Sequence, residues 1–330
     1  MRVHPLARRT AYGLLVVGLL CLCLAATVQA QVGAKELKPT GPADEAVISL
    51  DTNVVSLTVT VTDKQGRYLS NIDRHAFTVF EDQVAQEISY FGNTDGPVSV
   101  AIVFDLSGSM RKEKITRARL ALERFLLNCH PADEFSLIGF NDRAWLALDK
   151  TRDSAQLLRE FNAIEPRGDT ALYDAVALGL AQLERATQPR RVLLVVSDGE
   201  DNRSRASFGQ IKRMAQESAA LVYAIGITHL FQRRSAGGYI LSELAEQTGG
   251  KAFFPGDSEA MSEAFEKIAL ELRQQYSIGY TPSNFVADGK WRRVKVKVNP
   301  PADAPKIIVR SRPGYYAKPG SRGDGVKAEN

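Results

Sequence analysis

Cysteine is scarce in this chain of 330 residues: there are three, and two of them, Cys21 and Cys23, lie in an apolar N-terminal stretch. Without that stretch Cys129 stands alone, no intramolecular disulfide can form, and the fold must rest on its core. Cys129 falls on the apolar side of a predicted helix and reads as a small buried hydrophobe, not a nucleophile. Histidine is nearly as sparse. His4 sits in the N-terminal stretch, and His75, His130 and His229 match no triad or zinc spacing. A G-x-S-x-G elbow and a P-loop are both missing. An enzyme reading therefore finds no support. One-sided charge is missing too: setting aside Arg2, Arg8 and Arg9 leaves 39 of the 42 basic residues against 38 acidic ones. Such balance gives no preference for nucleic acid or an anionic membrane.

Residues 1–30 have the three parts of an export signal. Arg8 and Arg9 make a basic start, Tyr12 to Thr27 an apolar stretch, and Val28-Gln29-Ala30 a small-residue cleavage pattern. The apolar stretch is short for a bilayer span and has no stop-transfer flank. The surroundings of Arg8-Arg9 fit a twin-arginine signal poorly, and neither Cys21 nor Cys23 has the small residues of a lipid-attachment site before it. The expectation is an exported protein, periplasmic, cell-surface or secreted, with no stable membrane anchor after cleavage.

Residues 31–45 are polar with glycine and proline and read as a linker. Within 46–95, Val55, Leu57, Val59 and Val61 alternate with Ser56, Thr58, Thr60 and Thr62, the period of a strand with one buried face. Shorter strands follow over Phe77–Phe80 and Ile88–Phe91. Over 96–274 the pattern changes to strands alternating with helices: strands at Val98–Phe104, Phe135–Phe140, Ala144–Leu148, Arg191–Val196, Leu221–Ile227 and Lys251–Phe254. Helices are predicted over Glu113–Cys129, Ser154–Ile164, Leu172–Ala186, Phe208–Ser218, Leu241–Thr248 and Ser258–Gln274. This order predicts a Rossmann-like, doubly wound, mainly parallel α/β sheet. Residues 275–317 return to β character, with Val294, Val296 and Val298 alternating with Arg293, Lys295 and Lys297. The basic set reads as a strand's solvated face, an edge position being one option. Neither β segment is large enough to bury a core alone, so the two are expected to pair as one small β-sandwich that flanks the α/β unit or is interrupted by it. Residues 318–330 read as a disordered tail.

Three segments put oxygen side chains where strands end: Asp105-Leu106-Ser107-Gly108-Ser109, then Gly168-Asp169-Thr170-Ala171-Leu172-Tyr173-Asp174, then Ser197-Asp198-Gly199-Glu200. Carboxylate and hydroxyl oxygens suit a hard cation. In an open parallel sheet, ligands bind beyond the carboxyl ends of the strands. Helix capping by Asp105, Ser107 and Ser109 is the plainer alternative, and Asp198-Gly199 alone would pass for a turn. Asp174, four residues past Thr170, reads as second-layer or structural. Asn141 and Asp142 could border the site. The Arg167-Gly168-Asp169 and Arg322-Gly323-Asp324 tripeptides read as coincidence.

In this order and spacing the motifs resemble a von Willebrand factor type A domain with a complete metal-ion-dependent adhesion site, over roughly Gly96 to Gln274. The flanking segments FTVFEDQVAQEISYF and YSIGYTP to GYYA are similar to a bacterial, acidobacterial-type family of exported proteins related to that domain. The resemblance implies a metal set of Asp105, Ser107, Ser109, Thr170 and Asp198. The two serines would bind Mg²⁺ (or Mn²⁺ or Ca²⁺) directly, Thr170 directly or through water, and the two aspartates largely through water. It further implies a non-enzymatic adhesion-type module whose protein partner presents an Asp or Glu to the metal. A structural envelope subunit with a metal-rigidified domain is the alternative, and a metal-dependent hydrolase a more distant one. Oligomeric state is not legible in the sequence.

Overall fold

The alternating residues Leu57, Val59 and Val61 are fully buried on one face of strand β1 (Val55–Asp63), as a period of two dictates. A computed structural model describes residues 54–93, 95–110, 112–227, 235–299 and 306–317. The signal segment 1–30, the linker 31–45, the tail 318–330 and most of the polar segment 229–238 lie outside the described residues. After β1 come β2 (Phe77–Glu81), β3 (Val84–Gln86) and β4 (Ile88–Gly92). Asp82 and Gln83, both at positive φ, make the tight turn between β2 and β3.

The α/β part then runs β5 (Val98–Asp105), α1 (Lys112–Leu127), β6 (Glu134–Phe140), β7 (Ala144–Thr151), α2 (Ser154–Asn162), α3 (Leu172–Glu184) and β8 (Arg190–Ser197). It continues with α4 (Phe208–Glu217), β9 (Leu221–Gly226), α5 (Ala236–Glu246), β10 (Ala252–Phe253) and α6 (Ser258–Arg273). Its six strands are ordered β10-β9-β8-β5-β6-β7. All pairs are parallel except β6 with β7, so the sheet is mainly parallel, with an antiparallel edge. Every residue of β5, β6 and β9 is buried, which explains their unbroken apolar runs. One face packs Val100, Ile102 and Phe104 under α1, α2 and α6 through Leu122, Phe125, Phe161 and Phe265. The other packs Ala101, Val103 and Leu193 under α3, α4 and α5 through Val176, Leu180, Ile211 and Leu241.

Four closing strands, β11 (Tyr276–Tyr280), β12 (Trp291–Val298), β13 (Ile307–Arg310) and β14 (Gly314–Tyr316), interleave with the first four. The two antiparallel sheets are β13-β1-β11-β4 and β14-β12-β2-β3. Their shared core takes Leu57, Val59, Phe77 and Val79 from before the α/β part and Tyr276, Ile278, Val294 and Val296 from after it. The fold is thus a doubly wound α/β sheet with a small sandwich built from strands on both sides of it. Strand β12 pairs with β14 through Trp291 to Arg293 and with β2 through Val294 to Val298, so Lys295 and Lys297 have a strand partner on one side only, as the edge reading allows. The predicted helix at Leu241 begins earlier, at Ala236, where Ser235 Oγ caps it by accepting from Gly238 N at 3.0 Å.

Glu271 of α6, 1% exposed, ties the two parts together. Its carboxylate accepts from Tyr223 OH at 2.5 Å, Tyr68 OH at 3.1 Å and Thr60 Oγ1 at 3.2 Å, and it pairs with Arg310. Burial works against the Arg310 charge, but Glu271 outweighs it and holds the guanidinium pKa above its usual value. Burial and the Glu271 charge push the Tyr223 hydroxyl well up. Replacing Glu271 with Ala strands Arg310 without its carboxylate and should cost about 3–5 kcal/mol, as for a broken buried pair. Glu271→Gln, which keeps hydrogen-bonding atoms, should cost less, and urea unfolding of both variants checks the order.

On α3, a Cβ at Gly179 would stand 2.5 Å from Leu193 Cδ1 and 2.8 Å from Val103 Cγ2. Helix propensity favours Ala there by about 1 kcal/mol, whereas overpacking a tight core costs about 1–3 kcal/mol. Packing should win. Gly179→Ala is expected to lower the urea midpoint without changing the slope, and a raised midpoint would contradict this account.

Candidate metal centre

Strand β5 has β6 on one side and β8 on the other, both parallel to it. The chain leaves the end of β5 toward β6, while β8 lies on the opposite flank, so the loops after β5 and β8 diverge and leave a crevice. Three loops meet there.

The first turns sharply at the end of β5. Asp105 is fully buried and its Oδ1 accepts from Ser107 N at 2.9 Å, while Met110 N bonds to Ser107 O at 3.1 Å. This local turn brings the two hydroxyls together: Ser107 Oγ and Ser109 Oγ are 3.0 Å apart. Ser109 Oγ then donates to Asp198 Oδ2 of the third loop at 3.0 Å.

The second loop is fastened through its backbone. Gly108 N donates to Gly168 O, Arg167 N to Leu106 O and Ala171 N to Asn141 O, each at 2.8 Å. Thr170 N donates to Asn202 Oδ1 at 3.0 Å, and Asn202 N returns a bond to Thr170 O at 3.0 Å. Thr170 is held by Asn202 and Arg203 of the third loop's extension, and no hydrogen bond joins it to the other four residues among the described residues. Asp142 Oδ1 accepts from Asp169 N at 2.9 Å. Residue Ala171 precedes α3 without a side-chain cap; instead Asp201 Oδ2 and Ser204 Oγ accept from Tyr173 N and Asp174 N, each at 3.0 Å. Asp174 itself accepts from Ala206 N at 2.9 Å and Arg205 N at 3.1 Å. Its carboxylate is spent on holding the third loop's extension, a structural duty.

The third loop leaves β8 through Ser197, Asp198 and Gly199. Ser197 Oγ donates to Asp105 Oδ2 at 2.8 Å and accepts from Gly199 N at 3.1 Å. Gly199 is at φ +82°, and a Cβ there would lie 2.4 Å from Gly237 O at the start of α5. Only glycine allows this left-handed turn against another backbone. Gly237 meets the same turn from the other side, where a Cβ would lie 2.5 Å from Asp198 O.

Ser197, Asp201 and Asn202 were missed as site residues. Ser197 was visible only as the polar end of an apolar strand, and the other two as part of a polar stretch. Asp142, read as a possible border residue, does abut the second loop.

The site is electrostatically strained toward a cation. Burial raises the Asp105 carboxyl to about 6, the Asp198 charge adds to this, and hydrogen bonds from Ser107 and Ser197 oppose it. The partners of the two carboxylates are hydroxyls and amides, with no basic side chain among them in the described residues. Asp105, Ser107, Ser109 and Asp198 are joined, with Ser197, into one all-oxygen cluster, the donor chemistry that suits Mg²⁺ or Mn²⁺. No group of three or more His, Cys, Asp and Glu side chains able to hold a metal occurs among the described residues, so a soft or carboxylate-rich centre has no counterpart. His130 lies before β6, at the opposite end of the sheet, where its Nδ1 accepts from Ala132 N at 3.0 Å.

Comparison with known proteins fits this arrangement. Human inter-alpha-trypsin inhibitor heavy chain H4 is 26% identical over 227 residues, 61% of this chain and 23% of that protein. The pig H4 chain is 26% identical over 213 residues, 58% of this chain and 22% of its own length. The match thus spans less than a quarter of these relatives. Among solved structures, a von Willebrand factor type A protein from Catenulispora acidiphila is 13% identical, with 79% of this chain and 73% of that one covered and a TM-score of 0.47. The vWF domain of the type V pili tip protein Mfa5 from Porphyromonas gingivalis is 13% identical, with 54% and 95% covered and a TM-score of 0.46. Residues 100–200 match the family model of the von Willebrand factor type A domain. All three loops fall inside that match, and the chain therefore carries a von Willebrand factor type A domain.

Proposed function

We propose that this protein is an exported, divalent-cation-dependent protein-binding module. Asp105, Ser107, Ser109, Thr170 and Asp198 would hold Mg²⁺, and a partner's Asp or Glu would complete its coordination. The observation that carries the proposal is the junction of two loops at Ser109, whose Oγ is 3.0 Å from both Ser107 Oγ and Asp198 Oδ2. Ser109 commits its proton to Asp198, so lone pairs of both serines are left for a cation. A first layer of neutral hydroxyls leaves a divalent ion under-neutralised. Mg²⁺ also keeps exchangeable waters, and an external carboxylate can replace one. The bound ion would supply the electrostatic bridge. The chain's own residues orient the hydroxyls, keep Asp105 dry and fix the three loops against one another.

The match of residues 100–200 to the von Willebrand factor type A model supports this reading. Export rests on residues 1–30; among the described residues no helix is long and apolar enough to cross a membrane. The chemistry proposed is capture, with no group transferred.

Calorimetric titration with Mg²⁺ tests the site. Wild-type protein should bind Mg²⁺, whereas Ser107→Ala with Ser109→Ala should weaken binding by more than about tenfold while leaving the metal-free circular dichroism spectrum unchanged. Cell-envelope protein captured by wild type in Mg²⁺ should be released by EDTA and missed by the double variant. Capture that persists in both cases would sink the proposal. Ser197→Ala leaves the metal-facing hydroxyls in place but frees Asp105 Oδ2. It should weaken Mg²⁺ by roughly 10–100-fold, and an unchanged affinity would show that Ser197 does not orient the site.

A further inference from the structure

The end of the α/β sheet opposite the three loops borders a cavity of about 510 Å³ shared with the sandwich. Arg190 and Arg191 at the start of β8 and Arg312 between β13 and β14 line it, together with the hydroxyl residues Ser56, Thr58 and Ser277. No acidic residue is among the lining.

The three guanidinium groups are poorly neutralised. Arg190 donates to Gly96 O and Gln275 Oε1, each at 2.9 Å, and Arg312 Nε donates to Gly314 O at 2.8 Å. All of these acceptors are uncharged. The nearest acids to Arg190, Asp95 and Asp133, are already bridged by Arg273 at 3.0 Å each. Arg191 Nε is buried and has no hydrogen-bond partner at all. Burial pushes the pKa of Arg312 below its usual value, and burial together with the Arg273 charge does the same for Arg190.

Three half-buried arginines around one hollow, with no acid in its lining, leave positive charge that an anion would offset. The planar fork of arginine matches the oxygens of a carboxylate or phosphate. A volume of this size falls within the range of small-molecule sites, roughly 300–1,000 Å³, which favour junctions between structural units. We propose that this cavity binds a small organic anion. Its carboxylate or phosphate group is held by Arg190, Arg191 and Arg312, and its polar body lies against Ser56, Thr58 and Ser277.

The test is calorimetry and thermal unfolding of the whole chain in buffer freed of divalent metal on a chelating resin. The probes are pyrophosphate and tricarballylate, with chloride at matched ionic strength as control. One of the two anions should bind saturably and raise the melting temperature beyond chloride, and the stronger identifies phosphate or carboxylate as the natural group. Arg191→Gln should weaken that anion by roughly tenfold or more, the value of one charge-assisted hydrogen bond, and Arg191→Lys should recover part of it. Without ligand, Arg191→Gln should melt no lower than wild type, because the Nε it removes has no partner. Ser56→Glu, at an exposed strand position, should also abolish binding by placing a like charge at the site. The Ser107→Ala, Ser109→Ala variant should bind the anion as wild type does, which separates this site from the metal centre. Failure of both anions to exceed chloride, or equal affinity in Arg191→Gln, would overturn the proposal.

Discussion

Everything in this molecule is arranged around one register: Ser277 of β11 lies opposite Gly92 of β4. Antiparallel neighbours stand about 4.5–5.5 Å apart, so the chain leaves the sandwich and returns to it at nearly one point. The whole α/β part is spun out between. The consequence for folding is uneven. The α/β part is built from sequence-local units whose strands and helices meet early. Strand β1, by contrast, finds both of its neighbours, β11 and β13, only after the α/β part is made. Its closure entropy must be met by long-range contacts, and the sandwich core is half empty until Tyr276, Ile278 and Val294 arrive. Glu271 sits where that late closure happens, joining α6 and β9 to Thr60, Tyr68 and Arg310.

Strand β8 shows how the fold separates charge. It begins with Arg190 and Arg191 and ends at Ser197, next to Asp198. Between them lie five apolar residues, Val192 to Val196, buried throughout. Cations therefore collect at the start of the strand and carboxylates at its finish, with a dry interior between. Neither cluster can neutralise the other, and each is left to find its counter-charge outside the strand. Asp105, fully buried at the end of the neighbouring strand, deepens the negative end.

Much of this was legible from residue order. The unbroken apolar runs of β5 and β8 marked central parallel strands, and their abrupt polar ends marked the loops that meet beyond the sheet. What was not legible depended on distance in space. The basic face of β12 has the composition of an edge strand, and only the register shows that its first three residues pair with β14 and the rest with β2. Gly237 and Gly238 look like loop residues because glycine disfavours helix, yet close contact between Gly237 and the Asp198-Gly199 backbone makes a side chain intolerable there. Ser197 could not be told from any strand-end serine until Asp105 was seen beside it at 2.8 Å. Arg191 carried no signal at all, because an unpartnered Nε is defined by what does not surround it. The roles of Asp201 and Asn202 likewise arise from where α3 starts, not from their spacing to the metal-type motifs.

The separation along β8 also fixes how strongly the two charged ends can feel each other. The strand's eight residues span about 23 Å at roughly 3.3 Å per step. At an effective dielectric of about 20, one pair of unit charges at that distance interacts by about 0.7 kcal/mol, a factor of about three in affinity. A divalent ion beside Asp105 and Asp198 reduces even that, because it cancels the carboxylates the arginines would sense. Electrostatics alone therefore leaves the two ends nearly independent. Any stronger communication has to be mechanical, and the element placed to carry it is α6. That helix packs against α1, the helix that follows the first loop, through the Phe125–Phe265 contact near the far end of α1, at 6.0 Å between ring centres. Its last turn holds Leu272, whose carbonyl accepts from Arg190, so α6 touches the arginine cluster directly.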